Sequence, residues 1–436
     1  MRYRWLVFAL LVGALALTAA GCGGDDDGGG GAEGSEDVTG EISTMAIWAG
    51  DEQASWEAVI AGFNELYPNV TVKYNSGGDN LAPLLSTAVE GGNPPDIAAI
   101  GQPGLMADFA AQGALQSLDD IRQAIVDNFG ESVADVGAVD GTQYGLMFKA
   151  SNKSTIWYNV ASFEEAGVEP PEDWEGLNET AATIKAAGIT PYSVGVDVGW
   201  PMTDLFENIY IRTAGADKYD QLAKHEIPWT DQSVKDALTI MADVVGKSDY
   251  MVGGTDGALQ TEMPDSVAKV FSDKPDAAMV VLGDFAPGVT ETTLEPETGY
   301  NVFTFPSIED SGPAVVGGGD LFVKFKDSPA ADAFLEYLTT VEAAEIWAKR
   351  GGFSSPNTHL DVSVYPDEIT KKIAGALADA AKANTFRFDM SDLQPSAFGG
   401  TPGQGLFKEF TDFVQHPDDI DGVTKQMEAS AAKAFK

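Results

Sequence analysis

An α/β fold carried on two sheets is what this 436-residue sequence predicts, on three observations. From residue 41 onward, short apolar runs alternate with amphipathic stretches of helical spacing, a pattern that implies right-handed crossovers and mostly parallel strands. The alternation starts afresh after residue 150, which makes a second set rather than an extension of the first. The chain is 44% hydrophobic and 21% charged, the make-up of a packed globule, and its length corresponds to roughly three domains.

In the first set, residues 42–49 read as a strand. Residues 54–67 read as a helix, because Trp56, Val59, Ile60, Phe63, Leu66 and Tyr67 fall on one face. Residues 70–74 form a second strand, 80–90 a helix, 96–100 a very short third strand and 105–112 another helix. The second set follows a strand-like run at 144–150. Residues 155–158 read as a strand, 162–166 as a short segment after it, and 173–187 as a helix leading into 191–196. Helices then dominate to about residue 246, before the buried strand 277–282. Strand character returns at 302–306 and 314–323. Ser328-Pro329 opens a helix with a capping residue and a first-turn proline. A helix at 341–350 stops at Gly351-Gly352, as a C-terminal glycine signal should. The remainder is mainly helical, and no repeat of 20–50 residues is present.

Residues 1–22 read as an export signal. Arg2 and Arg4 precede an apolar run over 5–20, which is shorter than a spanning helix needs. The run ends in Ala19-Ala20-Gly21-Cys22, which resembles the bacterial lipobox, with Ala19 where Leu is usual. Cys22 is the only cysteine, so no disulfide can form, and its thiol is the expected lipid attachment point. Residues 23–40, rich in Gly, Asp, Glu and Ser, have nothing with which to build a core and read as a disordered tether of roughly 25 Å. The run Asp25-Asp26-Asp27 is a solvated charge run. The expected location is therefore the outer face of the cytoplasmic membrane, with the membrane touched only through the lipid.

Charge narrows the function. Lys and Arg number 26 against 67 Asp and Glu, a net charge of −41. Such a surface repels phosphate backbones, which argues against nucleic-acid binding, and its self-repulsion favours a soluble monomer. His225, His359 and His416 are scattered without metal-ligand spacing, and one lipidated cysteine cannot complete a zinc site. No phosphate loop and no G-x-S-x-G elbow occurs, and Gly317-Gly318-Gly319 lacks the spacing of a cofactor loop. Carboxylate pairs of the glycosidase kind arise by chance among so many acids. The chain reads as a binder with no metal, no cofactor and no catalytic residue.

Aromatic residues supply the positive signal. Of the seven tryptophans beyond the export signal, Trp48, Trp200 and Trp229 sit where strands end or loops begin. Trp56, Trp157 and Trp174 lie within regular patterns and read as packing. Ligands in open α/β sheets bind at the carboxyl ends of strands. A ring beside carboxylates suits a sugar, whose C–H face packs on the ring while its hydroxyls donate to the oxygens.

Several segments in order resemble the extracellular solute-binding proteins of ABC importers, family 1, the carbohydrate type. They are Asn93-Pro94-Pro95-Asp96-Ile97, Gln112-Gly113-Ala114-Leu115, Tyr144-Gly145-Leu146, Trp157-Tyr158-Asn159, Pro170-Pro171-Glu172-Asp173-Trp174 and Ala277-Ala278-Met279 leading to Gly283-Asp284-Phe285. The longest block runs from Val316-Gly317-Gly318-Gly319-Asp320 to Ala344-Glu345-Ile346-Trp347-Ala348-Lys349-Arg350-Gly351-Gly352-Phe353-Ser354-Ser355-Pro356-Asn357, and is similar to α-glucoside-binding members in particular. The likeness covers nearly all of the chain from residue 41. It implies a two-lobed periplasmic-binding-protein-like fold of type II, with discontinuous lobes joined by three hinge segments and a ligand cleft between. The implied lobes are 41–146 with 307–350 and 147–306 with 351–436, crossing near 144–150, 302–306 and 351–356.

The resemblance also implies ligand contacts. These are Trp48, Asp51 and Glu52 after the first strand, Asp79 in the following glycine loop and Gln102 after the third strand. Lys149 and Asn152 stand on the first crossing, Asp197 and Trp200 face the cleft from the second lobe, and Gly319 and Asp320 lie on a loop that contacts hydroxyls. Phe285 stands where relatives frequently carry a stacking Trp. Phe398 and the loop 399–405 stand where the last stacking aromatic is usual. The expected partners are a carbohydrate ligand and the transmembrane subunits of an ABC permease. A cation binder, for instance of a polyamine, is the second reading, and a secreted glycosidase the third.

Overall fold

The computed structural model describes residues 37–383 and 385–436. The export signal, Cys22 and the tether up to residue 36 lie outside the described residues. Gly40–Ala46 (β1) turns Ile42, Thr44 and Ala46 inward, the two-residue period of a strand with one buried face. Gly50–Leu66 (α1) starts a turn earlier than its apolar spacing predicts, and buries Trp56, Val59, Ile60 and Phe63 as that spacing requires. Its first turn carries Asp51 and Glu52, where negative charge suits the helix dipole. Val70–Ser76 (β2), Leu81–Glu90 (α2), the fully buried Ile97–Ile100 (β3) and Pro103–Ala111 (α3) complete the first set.

The chain continues through Gly145–Asn152 (β4), Thr155–Asn159 (β5), Trp174–Ala186 (α4), Trp200–Ala214 (α5), Gln232–Val245 (α6), Met279–Val281 (β6) and Tyr300–Thr304 (β7). Then come Val315–Lys324 (β8), Pro329–Leu338 (α7), Val341–Ala348 (α8), Glu368–Ala383 (α9), Phe386–Phe388 (β9), Gly405–Gln415 (α10) and Ile420–Ala434 (α11). The cap expected at Ser328 is present: its side chain accepts from the Ala331 amide at 3.1 Å.

Among the described residues the strands form a large sheet, ordered β9-β8-β3-β1-β2 with β4 paired along residues 317–323 of β8, a small sheet ordered β6-β5-β7, and a two-stranded ribbon of 138–139 with 142–143. Parallel pairing holds for β1 with β2 and β3, and for β8 with β9. It fails elsewhere. Strand β8 runs antiparallel to β3 and β4, and the small sheet is antiparallel throughout. These strands are joined by long excursions through several elements rather than by a single helical crossover, so nothing in the chain path requires parallel direction. Residues 191–196 form only isolated bridges at Tyr192.

The chain passes from the large sheet to the small one between β4 and β5, and returns between β7 and β8. The segment after α8 lies against β4, where the Ala150 amide donates to the Ser354 carbonyl at 2.7 Å. Ile369 and Ile373 of α9 then pack in the core of the small sheet, while β9 rejoins the large one. An aromatic core fills the first lobe: Trp56, Phe322 and Trp347 surround Trp48, and Trp347 stacks on Phe353 with centroids 5.1 Å apart. Each such buried ring contributes about 1.5–3 kcal/mol. In the second lobe Arg212 is a buried cation held by neutral oxygens, donating to the carbonyls of Asn208, Phe305 and Ala314 at 2.8–3.2 Å. Burial pulls its pKa down to about 9. That clamp fixes the segment that returns from β7 to β8.

Candidate functional site

A cavity of about 460 Å³ lies between the two sheets, at the ends of β1 and β3 and the start of α5. The size is that of a small-molecule site. One wall comes from the first lobe, with Gln102 after β3 and Gly319 on β8, and the other from Trp200, Phe285 and Phe407. A second hollow of about 630 Å³ lies behind Glu52. Its rim carries the exposed Glu295, Glu297 and Glu368, and the buried acid on it, Asp284, is already bonded by the Ser354 hydroxyl at 2.5 Å. The second hollow is lined by rings as well, Trp157, Tyr300, Trp347 and Phe353, but the buried lysines Lys149 and Lys153, with the half-buried Trp200 and Phe285, line the first cavity.

Nine of the residues expected from the sequence line that cavity: Trp48, Asp51, Glu52, Gln102, Lys149, Trp200, Phe285, Gly319 and Asp320. Asn152 does not. It is buried, and its Oδ1 accepts from the Ser154 amide at 2.9 Å, so it shapes the turn between β4 and β5. Asp197 is exposed outside the wall, where its neighbour Val198 stands instead. Asp79 sits on the short turn Gly78–Asn80, and its side chain lies outside what the structure describes; Gly78 of that turn lines the cavity.

The tryptophans divide differently from the sequence expectation. Trp229 is core, packed on Phe206 and Phe398. Trp48 is 1% exposed, edge-on to Trp347 at 4.9 Å, and offers no free face. Its Nε1 donates to Asp320 Oδ2 at 3.1 Å, so it positions a carboxylate. The aromatic wall proper is Trp200 with Phe285, both half-buried, with centroids 6.1 Å apart. Phe398 is buried against Trp229, and Gly400, Pro402 and Phe407 line the far end in its place.

Two charge clusters face this wall. In the first, Lys149 donates to Glu52, with Asp320 Oδ2 at 4.0 Å from its Nζ. The same ammonium lies 5.4 Å from the Trp347 ring and 5.9 Å from those of Trp48 and Phe285, a cage suited to a cation. Burial raises the Glu52 pKa in spite of Lys149. Burial pulls Lys149 down, but Glu52 and Asp320 outweigh it and leave the ammonium above its ordinary value. Gly319 is required by proximity: a Cβ there would lie 2.7 Å from Met147 Sδ and 2.8 Å from the Lys149 carbonyl. The glycines of this run serve close strand approach, since none has a positive φ.

Sequence reasoning missed the second cluster. Lys153 Nζ lies 2.5 Å from Asp389, 3.2 Å from Asp204 and 3.4 Å from Asp392, and 5.8 Å from the Trp200 ring. Lys153, Asp389 and Asp392 line the cavity. The members come from three distant stretches, so no spacing reveals them. The one local signal is Asp389, three residues before Asp392, which caps the short helix Met390–Leu393 by accepting from the Asp392 amide at 3.0 Å.

Two α/β lobes with three chain connections and a ligand-sized cavity between them define the type II fold of periplasmic sugar-binding proteins. The chain belongs to the bacterial extracellular solute-binding protein family, whose sequence profile matches residues 49–345. It is 34% identical over 381 residues to the osmoprotective compounds-binding protein GgtB of Synechocystis, with 86% of this chain and 89% of that one covered. It is also 34% identical over 379 residues to the alpha-glucosides-binding periplasmic protein AglE of Rhizobium meliloti, covering 83% and 82%. Among solved structures it is similar to the bacterial solute receptor AcbH, with a TM-score of 0.80 at 22% identity over 92% of this chain and 100% of that one. Maltose-bound MalE3 of T. maritima gives 0.71 at 17%, over 90% and 99%. At those identities the likeness speaks for the fold. No helix among the described residues is long and apolar enough to cross a membrane.

Proposed function

We propose that this protein is the carbohydrate receptor of an ABC importer, capturing an α-glucoside or other small oligosaccharide by hinge closure and passing it unaltered to the permease. We place the lobes at 41–146 with 307–350 and 147–306 with 351–436, apart from 147–152 and 386–388, which pair into the large sheet, and a lipid on Cys22 holds the protein at the outer face of the cytoplasmic membrane. The names of the two relatives at 34% identity, one for osmoprotective compounds and one for alpha-glucosides, support the substrate class.

The observation that carries the reading is the pairing of open aromatic faces, Trp200 and Phe285, with carboxylates that already hold their own lysine. A neutral polyol finds ring faces for its C–H groups and acceptors for its hydroxyls. An anion meets surplus carboxylates in a partly desolvated site. A polyamine finds the cage already occupied by Lys149. Glu52 and Asp320 share that lysine, which fixes them as acceptors and speaks against a glycosidase acid.

Ligand contacts to both lobes are complete only in the closed form, so ligand shifts the population toward it. The test is a thermal-shift screen of the delipidated protein with glucose, methyl α-glucoside, sucrose, trehalose and maltose, and with putrescine as the cationic arm. A sugar at a hundred times its Kd adds about 2.7 kcal/mol of stability. No shift with any saccharide, or a salt-sensitive response to putrescine alone, overturns the reading.

A further inference from the structure

The second cluster places three carboxyls, Asp204, Asp389 and Asp392, around the single ammonium of Lys153. The side chains of Asp204 and Asp389 are 1% exposed and that of Asp392 is 15% exposed. Three negative charges on one buried positive charge are not sustainable at low dielectric, so protons are retained in the group. The positions differ sharply. Asp389 takes the short contact to Lys153 and also accepts from Ser391 Oγ at 2.7 Å, and it holds its charge. Asp204 is sealed off, and its Oδ2 has no hydrogen-bond partner. Asp392 alone combines a place on the cavity wall, residual exposure and a single long side-chain contact, to Lys153 at 3.4 Å.

We propose that Asp392 is a ligand-contacting acid that carries a proton in the ligand-free cleft and releases it to solvent when a ligand hydroxyl donates to it, so that capture is coupled to proton release. The inference deepens the carbohydrate reading and rests on it for the hydroxyl donor; the proton on Asp392 rests on the charge cluster alone. Hydroxyl donation favours the ionised carboxylate, so the affinity rises with pH. Burial first, and then the neighbouring Asp389, push the Asp392 carboxyl up to about 7, within the range where the coupling is measurable.

Charged groups face Asp392 from each element around it. Lys153 follows β4, Asp204 comes from α5, Asp389 precedes its own turn, and Asp320 acts from β8 across the cavity, while Glu207 of α5 acts on Asp389 and Asp204. Glu207 is buried and engaged by Tyr219 Oη and the Met390 amide. Asp220, from the helix Ala216–Ala223, pairs with Arg387 of β9, and Asp108 of α3 accepts from Ser396 Oγ. None of these supplies a second cation to Asp392.

Two measurements test the proposal on the delipidated mature protein. In infrared difference spectra of the ligand-free protein between pH 6 and pH 8, the wild type should lose one protonated-carboxyl band more than Asp392→Asn does. Absence of that difference overturns the proposal with or without a sugar. Calorimetry with sucrose, trehalose and maltose, in phosphate and in Tris, should show a buffer-dependent enthalpy of proton release. Affinity should be up to about tenfold higher at pH 8 than at pH 6. Asp392→Asn should bind with no pH dependence, and Asp392→Glu should keep it. Sugar binding without proton release overturns the coupling. If no sugar of the thermal-shift screen binds while the infrared band behaves as expected, the carbohydrate reading falls and the coupling to capture falls with it, while the proton on Asp392 stands.

Discussion

Trp48 and Trp200 show how much a single side chain's surroundings decide. Both stand at the junction of a strand or loop with a helix, and both line the cavity. Trp48 is enclosed by Trp56, Phe322 and Trp347, while Trp200 keeps a half-buried ring beside Phe285. Their alanine variants should therefore behave oppositely. Trp48→Ala should lower stability by about 3–5 kcal/mol in a denaturant titration, through cavity formation and the loss of a donor to Asp320. Trp200→Ala should leave the denaturation midpoint nearly unchanged and weaken sugar binding by about 10- to 100-fold in calorimetry, the effect of an aromatic contact made only with ligand. Equal destabilisation by both changes would defeat the assignment. The difference was not legible in the sequence, because Trp48 and Trp200 are each flanked by the same kind of small and acidic residues.

At the scale of elements, β8 joins the aromatic core, the cavity and its three neighbouring strands, β3, β4 and β9. Its glycine run lets β4 approach so closely that the Lys149 carbonyl occupies the space of a Gly319 Cβ. The register slips between Asp320 and Leu321, a bulge of the kind that re-aims side chains beside a site. Gly319→Ala should destabilise the protein by about 1–3 kcal/mol, the usual cost of overpacking. It should also weaken sugar binding, because the displaced strand carries Lys149; calorimetry beside a urea titration checks both. Full affinity with unchanged stability would count against the close-approach account. Helices with a clear apolar face, such as α1, and the capped start of α7 were readable from spacing alone. The direction of β8 and the whole of β9 were not, since strand pairing joins segments distant in sequence.

For the whole molecule, the cavity walls belong to lobes connected at three places, one of which is held by Arg212 and another by the contact of Ala150 with Ser354. Closure about these connections should appear as a smaller radius of gyration in small-angle scattering when a bound sugar is added. The change should be absent with a non-binding sugar, and absent at the same concentration in Trp200→Ala. An unchanged radius with saturating ligand would contradict hinge capture. The net charge of −41 should keep the protein monomeric throughout that experiment.

By itself the sequence determined the α/β class, the helices with a clear apolar face or cap, the family, and nine of the residues at the cavity, because periodic burial and local turn chemistry are written along the chain. Tertiary structure alone decided which tryptophan has an open face, which strands pair antiparallel, and that Lys153 collects Asp204, Asp389 and Asp392. Those outcomes depend on contacts across long stretches of chain, 239 residues for Lys153 with Asp392 and 272 for Trp48 with Asp320, and the energy of a buried charge is set by the neighbours that folding brings to it, not by the residues beside it in the chain.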